Sequence, residues 1–443
     1  MNHKSNRLAV KMLISMVCGI VAGLIFMSIR EHFGAASPVW QAINGWLFQD
    51  ITAQGAEKAV GLFYIGGQLF VKSLQLVIVP MVFSSIVLAI STIRDASTLG
   101  RVSGKTFGWF LMTTVVALVL AGAVALVCFK SGLFNATIEG VAAATGSTGS
   151  NPLNVILNIV PSNIAASFSV NNAVLSLIFL AIVIGLSLNK KGYGDESIIN
   201  KLCKELSDVV VVFLNFVVDK FGPVAVFMLL TRTFATYGID YLKPAAAYVL
   251  LTVSLLLVYL FIGYPLYIFL AARLNPFTFI RKILGVIVFG FSTSSSAATL
   301  PLNTETNTRD MGVDSQIASF VLPLGMTINM DGTAIMQVVA ALFLAGVGGY
   351  EVTVVNLIVI MVLALIASIG TPAAPGAGAV ILFTILSGMG FTGEAAMMGY
   401  ALILAINRPI EMLVTSLNCV GDSVAAIVVA KSEGKLDENV YSK

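Results

Sequence analysis

Long apolar stretches constrain this chain more than any other feature. A bilayer core about 30 Å thick takes roughly 20 apolar residues as helix, because lipid offers no partner to a free backbone N–H or C=O. That rule yields eight spans, at 9–29, 60–93, 106–129, 173–189, 207–230, 245–271, 316–346 and 397–430. Most exceed the minimum length and therefore tilt or protrude. With 58% hydrophobic and 11% charged residues, the 443-residue chain has too little charge for a water-soluble surface, which usually needs about a quarter. It reads as an all-α integral membrane protein. The first span is too long for a signal-peptide core, and no small-residue cleavage site leads into soluble sequence, so it reads as a retained helix. A net charge of +3 gives no reason to expect nucleic acid as a partner, and Cys18, Cys128, Cys203 and Cys419 lack CxxC spacing and read as reduced packing residues.

Two further segments, 283–313 and 355–387, are apolar enough to enter the membrane but are broken midway. The first carries Ser292-Thr293-Ser294-Ser295-Ser296 before Leu300-Pro301; the second carries Ser368-Ile369-Gly370-Thr371-Pro372-Ala373-Ala374-Pro375-Gly376. Non-helical backbone at membrane depth survives only when buried in protein or lining a wet cavity, so both read as re-entrant helical hairpins. Lysine and arginine gather on the cytoplasmic side of membranes. With the N-terminus inside, sixteen of them fall on cytoplasmic segments and five outside, which fits eight crossings with both termini cytoplasmic in an inner or plasma membrane. The stretch 130–165, with its AATGSTGSNP run and an Asn135-Ala136-Thr137 sequon, reads as a mobile outside loop.

The last third repeats a plan: a hairpin, then a long helix interrupted by polar residues. The interruptions are expected at Asn329-Met330-Asp331-Gly332-Thr333 in the seventh span and Asn418-Cys419-Val420-Gly421-Asp422 in the eighth. Broken helices in corresponding positions bring dipole ends and free carbonyls to the bilayer midplane, the usual place of a transporter site. Asp331 and Asp422 are ionisable groups inside apolar segments, each costing at least a few kcal/mol to insert. Arg408 lies about four turns from Asp422 and does not neutralise it directly. A cation would, and Asn329, Asn418, Thr327, Thr333 and carbonyls near Gly325 and Gly332 are the oxygen ligands that hard cations prefer.

On four motifs the chain resembles the dicarboxylate/amino acid:cation symporter family of sodium-coupled glutamate/aspartate and neutral amino acid transporters. They are STSSSAATLP (Ser292 to Pro301), PLGMTINMDGT (Pro323 to Thr333), SIGTPAAPGAGA (Ser368 to Ala379) and NRPIEMLVTSLNCVGD (Asn407 to Asp422). The likeness runs nearly end to end. It implies a homotrimer in the lipid bilayer, with no organic cofactor and with Na+ as the co-transported ion, in which a transport domain slides like an elevator along a fixed scaffold. Residues 1–105 would supply scaffold spans one and two, 106–129 a transport-domain helix, 130–230 the outside loop and scaffold spans four and five, and 245–443 the transport-domain core. The tip of the second hairpin would serve as the outer gate.

Carried over residue by residue, the resemblance implies a first sodium site at Asp422, Asn418 and carbonyls near Gly325 and Asn329. A second falls on the Thr327 and Met330 carbonyls with Ser368, Ile369 and Thr371. A third uses Asp331 and Asn329 with Thr113, Thr114 and the Phe110 carbonyl. The substrate pocket falls on Ser294, Ser295 and Ser296 at one hairpin tip, Ala374, Pro375 and Gly376 at the other, Thr333, and Asn407, Glu411, Val414, Thr415 and Asn418 of the eighth span. Here the chain departs from the acidic carriers. Val414 stands where their arginine grips the side-chain carboxylate, a bidentate fork worth several kcal/mol in a dry site. Arg408 lies six residues earlier, about 240° round a helix, and is expected to face the scaffold. Glu411 remains for a substrate ammonium. A neutral amino acid is therefore expected, with an acidic amino acid or dicarboxylate as the alternative substrate and a proton as the alternative coupling ion. Two readings from other classes are weaker. An intramembrane aspartyl protease would need a GxGD signature, but Cys419 stands at its first glycine, and a channel would conduct without accumulating its solute.

Overall fold

The computed structural model describes residues 2–53, 55–91, 99–135, 160–169, 174–192, 197–238, 242–369, 371 and 376–443. Most of the 130–165 loop, Ala136 and Thr137 of the sequon, and Gly370 and Pro372–Pro375 at the second hairpin's tip lie outside them, Ala374 and Pro375 of the expected substrate pocket included. Among the described residues the chain is helical, and the one β-type pairing is an isolated antiparallel bridge, Val313 to Leu436.

Eight described helices are long and apolar enough to cross a membrane. Seven overlap expected spans; the eighth, Pro276–Thr293, is the first arm of the first hairpin. The expected fourth span forms the helix Val174–Lys191, whose 18 residues end on Lys190 and Lys191. The agreement in number thus conceals one exchange. The first span, Asn2–Phe33, turns Ile14, Val17, Val21 and Ile25 outward, the apolar face a lipid-embedded helix keeps.

Prolines set the breaks within spans. The second span is two helices, Leu62–Leu76 and Ile78–Ser91, because Pro80 has no N–H to give the Leu76 carbonyl. The fifth runs Ile198–Phe216, a π-helical turn Val217–Phe221, then Gly222–Tyr237 with Pro223 at its start. In the sixth, Leu242–Val258 is followed by π-helical turns at Tyr259–Gly263 and Ile268–Ala272 on either side of the short α-turn Tyr264–Tyr267, which contains Pro265.

Both hairpins are present. The first has arms Pro276–Thr293 and Ser296–Glu305, the latter continued by a π-helical turn Thr306–Asp310. Its tip is at Ser294, held in the left-handed region at φ 49°, while Pro301 sits inside the second arm. The second hairpin has arms Val354–Ile369 and Ala377–Met389. The seventh span breaks where expected, between Ser315–Ile328 and Asp331–Gly348. The eighth does not. It runs unbroken through Asn418–Asp422 as Arg408–Ser432, and its break from the preceding helix Glu394–Ile406 falls at Asn407. The physical cause is Pro409, which cannot donate to the Ala405 carbonyl.

The packing is densest within two groups, which meet chiefly where Gly222–Tyr237 lies against Glu394–Ile406. The first span lies against Gly222–Tyr237, which also meets Leu62–Leu76, and Ile78–Ser91 lies against Val174–Lys191 and Ile198–Phe216. In the other group all of Asp331–Gly348 is buried, surrounded by the third span Leu99–Lys130, the sixth, both arms of the second hairpin and both parts of the eighth. Such a helix reads apolar all round because every face meets protein. Past Ser432 the chain turns back on the base of the first hairpin. Asp437 N donates to Gly312 O at 2.8 Å, the buried Tyr441 hydroxyl to Asn275 O at 2.9 Å, and Lys282 Nζ to the carbonyls of Asp310, Val440 and Tyr441 at 2.7–2.8 Å.

Candidate functional site

The break in the seventh span leaves two helix ends facing one another. The first four N–H groups of a helix and the last four carbonyls of the one before it have no partners within their own helices. Asp331 opens the second of these helices, where its negative charge meets the positive dipole end. Among the freed donors, Gly332 N–H is taken by Asn418 Oδ1 of the eighth span at 2.8 Å. Gly332 therefore presents a donor at the break. Asn418 Nδ2 reaches Thr333 Oγ1 and Met330 Sδ, each at 3.2 Å, so one amide joins three residues of the break.

Both carboxylates are buried: Asp331 is 0% and Asp422 2% exposed. Thr114 Oγ1 donates to Asp331 Oδ1 at 2.5 Å, and Tyr264 Oη donates to Oδ2 at 2.9 Å. Thr113 and Thr114 also lie 3.1 and 2.8 Å from the Phe110 carbonyl, so the third span presents carbonyl and hydroxyl oxygens beside this carboxylate. Asp422 Oδ1 accepts from Asn329 Nδ2 at 3.0 Å. It packs so closely on the seventh span that a Cβ at Gly325 would lie 2.3 Å from it, so only glycine admits the carboxylate there. Asn329 Oδ1, buried, has no donor. Among the described residues neither aspartate has an ion pair with lysine, arginine or histidine. Buried charge without a counter-charge is costly, and oxygen-rich surroundings suit a hard cation.

Of the residues expected at cation sites, the structure thus brings Phe110, Thr113, Thr114 and Asp331 together, and Gly325, Asn329 and Asp422 together, with Asn418 bridging to Met330 and Thr333. In the remaining set, Thr371 N–H donates to the Ser368 carbonyl at 3.0 Å, and among the described residues no side chain of the set bonds to another member. The hydroxyls of Thr327, Ser368 and Thr371 return to carbonyls three or four residues earlier, Leu324, Leu365 and Ala367, at 2.8–2.9 Å, and Ile369 is the last residue of its arm.

The expected substrate residues divide. Ser295 caps the first hairpin's second arm through Ala298 N–H at 3.3 Å, Ser296 is buried beneath it, and Ser294 Oγ is buried without a partner. Val414 is buried, with its main chain against Gly332, and Thr415 Oγ1 returns to Glu411 O at 2.9 Å. Asn407 and Glu411 belong to a different cluster. Asn407 accepts from Tyr248 Oη at 2.7 Å, and Glu411 accepts from Ala379 N–H of the second hairpin at 3.2 Å. Glu411 also lies 4.0 Å from Arg408, at the limit of an ion pair, and Gly376 stands beside it at φ +86°. Arg408, Glu411 and Asn407 line a cavity of about 30 Å³ with Phe70 and Leu74 of the second span and Val218 of the fifth, so Arg408 lies beside scaffold-side residues and two of the expected substrate residues alike. The carboxylate reserved for a substrate ammonium therefore has a guanidinium beside it. Two of that guanidinium's nitrogens, Nε and Nη1, are buried without a hydrogen bond, and Nη1 is the one 4.0 Å from Glu411.

Sequence reasoning missed Tyr264, Tyr248 and Gln337, whose Nε2 reaches Gly378 O at 3.2 Å. The tyrosines count as apolar in a hydropathy reading, although a buried hydroxyl almost always finds a partner, which is the signal that could have exposed them.

The expected family match is found. The model of the sodium:dicarboxylate symporter family matches residues 8–432. The chain is 29% identical over 440 residues to the proton/glutamate-aspartate symporter of Escherichia coli K12, covering 97% of this chain and 94% of that protein. It is 30% identical over 417 residues to the C4-dicarboxylate transport protein of Polynucleobacter asymbioticus, covering 89% and 91%, and 27% identical over 451 residues to an excitatory amino acid transporter of Caenorhabditis elegans, covering 91% and 87%. These are transporters, not enzymes, which removes the protease reading of the two aspartates. The chain belongs to the sodium:dicarboxylate symporter family, and it is a multi-pass membrane transporter.

Proposed function

We propose that this protein couples inward flow of Na+ to uptake of a small carboxylate-bearing solute. The carrying observation is the pair Asp331 and Asp422, buried among oxygen donors without a basic partner, in a chain of this family. Phe110, Thr113, Thr114, Asn329 and Asp331 would hold one cation, and Gly325, Asn329, Asn418 and Asp422 another. Ser368, Ile369, Thr371 and the Thr327 and Met330 carbonyls form a further site on this reading, completed when the second hairpin closes. The division of the packing into two groups supports a scaffold and an elevator-like transport domain; a trimer with cytoplasmic termini follows the family resemblance and the charge distribution.

Within that class the substrate reading rests on Val414. It puts an apolar side chain where the acidic carriers place an arginine, which favours an amino acid with an uncharged side chain. A second reading has its own support: two of the relatives above are named for glutamate and aspartate or for C4-dicarboxylates, and two buried Arg408 nitrogens make no hydrogen bond. Purified protein in liposomes tests both. With an inward Na+ gradient, labelled alanine or serine should accumulate and compete better than aspartate or succinate. The reverse order establishes the acidic reading, and accumulation driven by a proton gradient without Na+ overturns the sodium reading.

A further inference from the structure

Asp331 presents two oxygens, and Thr114 of the third span donates to one of them, Oδ1. The other is held from the sixth span by the Tyr264 hydroxyl at 2.9 Å. We propose that Tyr264 is a positioning residue for cation binding at Asp331, an assignment that rests on the sodium-coupled reading above. Its ring is fully buried, and the backbone around it is irregular on both sides. Tyr264 opens a single α-turn between two π-helical turns, and Pro265 after it has no N–H for the Phe261 carbonyl. An extra residue in a helical turn re-aims the side chains that follow it, and such turns cluster at functional sites.

The eighth span is cut away to admit this hydroxyl. A Cβ at Gly421 would lie 2.3 Å from Tyr264 Oη and 2.6 Å from Asn329 Nδ2. The donor to Asp331 and the donor to Asp422 therefore meet at one glycine. Tyr259, on the same span, donates to the Thr113 carbonyl at 2.6 Å, so the sixth span braces the third-span side of the site as well as the carboxylate. A carboxylate held at both oxygens cannot rotate. Oδ1 stays turned toward Thr113, Thr114 and the Phe110 carbonyl, where a cation would meet its ligands already aligned. Outer partners of ligating carboxylates are typically worth about 10–100-fold in ion affinity.

The test is Tyr264→Phe in the full-length protein in liposomes, with Tyr267→Phe as the control, since the Tyr267 hydroxyl touches Tyr259 and not the carboxylate. Uptake against Na+ concentration should show half-saturation raised about tenfold or more in Y264F. The substrate KM at saturating Na+ should stay near the wild-type value, and Y267F should behave as wild type. Na+-induced rise of the thermal unfolding midpoint of purified protein should shift in parallel, a readout that a general loss of packing would not reproduce. Unchanged or tighter Na+ dependence in Y264F, beside a sodium-dependent wild type, overturns the assignment alone. A wild type indifferent to Na+ defeats the sodium reading and this assignment with it. If Y264F gives no folded protein, Gly421→Ala displaces the same hydroxyl, and an unaltered Na+ half-saturation there also overturns the proposal.

Discussion

Asn418 Oδ1 lies 2.8 Å from Gly332 N, so a side chain of the eighth span caps the helix that begins at the break in the seventh. The cap comes from another span because Met330, at the N-cap position, offers no side-chain acceptor of its own. Asn418→Ala would leave the Gly332 N–H buried without an acceptor, at a cost of about 1–3 kcal/mol. The expected outcome is a lowered thermal unfolding midpoint together with weaker Na+ dependence of uptake. A variant with the wild-type midpoint would show that water or another side chain takes over the cap.

Asp422→Asn and Asp331→Asn each remove the charge that a cation would compensate, while nearly keeping shape. Uptake under an inward Na+ gradient should fall to background in both. The Na+-induced rise in thermal midpoint should shrink as well. Undiminished sodium-driven uptake in either variant would assign that carboxylate a structural role.

How the site became legible differs residue by residue. Asp331 and Asp422 stand out because charge is rare in apolar stretches, and the seventh-span break follows from a run of polar residues beside them. The same reasoning misplaced the eighth-span break at 418–422. Polar residues in a membrane helix can break it or can bond sideways to other helices, and one chain's sequence does not separate the two. Asn418 and Asp422 bond sideways, to Gly332 and Asn329, and Gly421 is there to let Tyr264 approach, so the helix continues. The true break at Asn407 had its own signal in Pro409. Tyr264 had little: Pro265 after it marks an irregular turn, but nothing in the sequence ties it to Asp331 until the fold brings that carboxylate to its hydroxyl.

Where the eighth span ends, Glu433 accepts from Arg101 at 2.6 Å and lies 2.6 Å from Lys105. Hydrogen bonds from Arg101 and Lys105 hold its carboxyl down at about 2, against an ordinary 4.5. A depressed carboxyl stabilises the folded state fully above its unfolded value and loses that contribution as pH falls toward the folded value. Glu433→Gln should therefore lower the thermal midpoint at pH 7, and the gap from wild type should close as pH falls from about 5 toward 2. Arg101 is exposed, so added salt should also narrow the gap. A gap constant with pH and salt would assign the effect to packing.

Specificity is the sharpest test of the pocket. Val414 is buried, so an acidic substrate side chain placed against it would be desolvated without a partner, a penalty of about 1–3 kcal/mol and hence up to about a hundredfold in affinity. Val414→Arg would put a guanidinium on that face, three residues after Glu411, which already has Arg408 4.0 Å away. An uncharged substrate would then meet an unpaired cation, and its KM should rise about tenfold or more, while aspartate should begin to compete for uptake. Arg408→Gln separates this from the alternative. If Arg408 faces the scaffold and only balances Glu411, the variant should leave the order of competing substrates intact. Loss of aspartate or succinate transport in Arg408→Gln, with the wild type preferring those solutes, would show that Arg408 replaces the missing arginine and that the substrate is acidic.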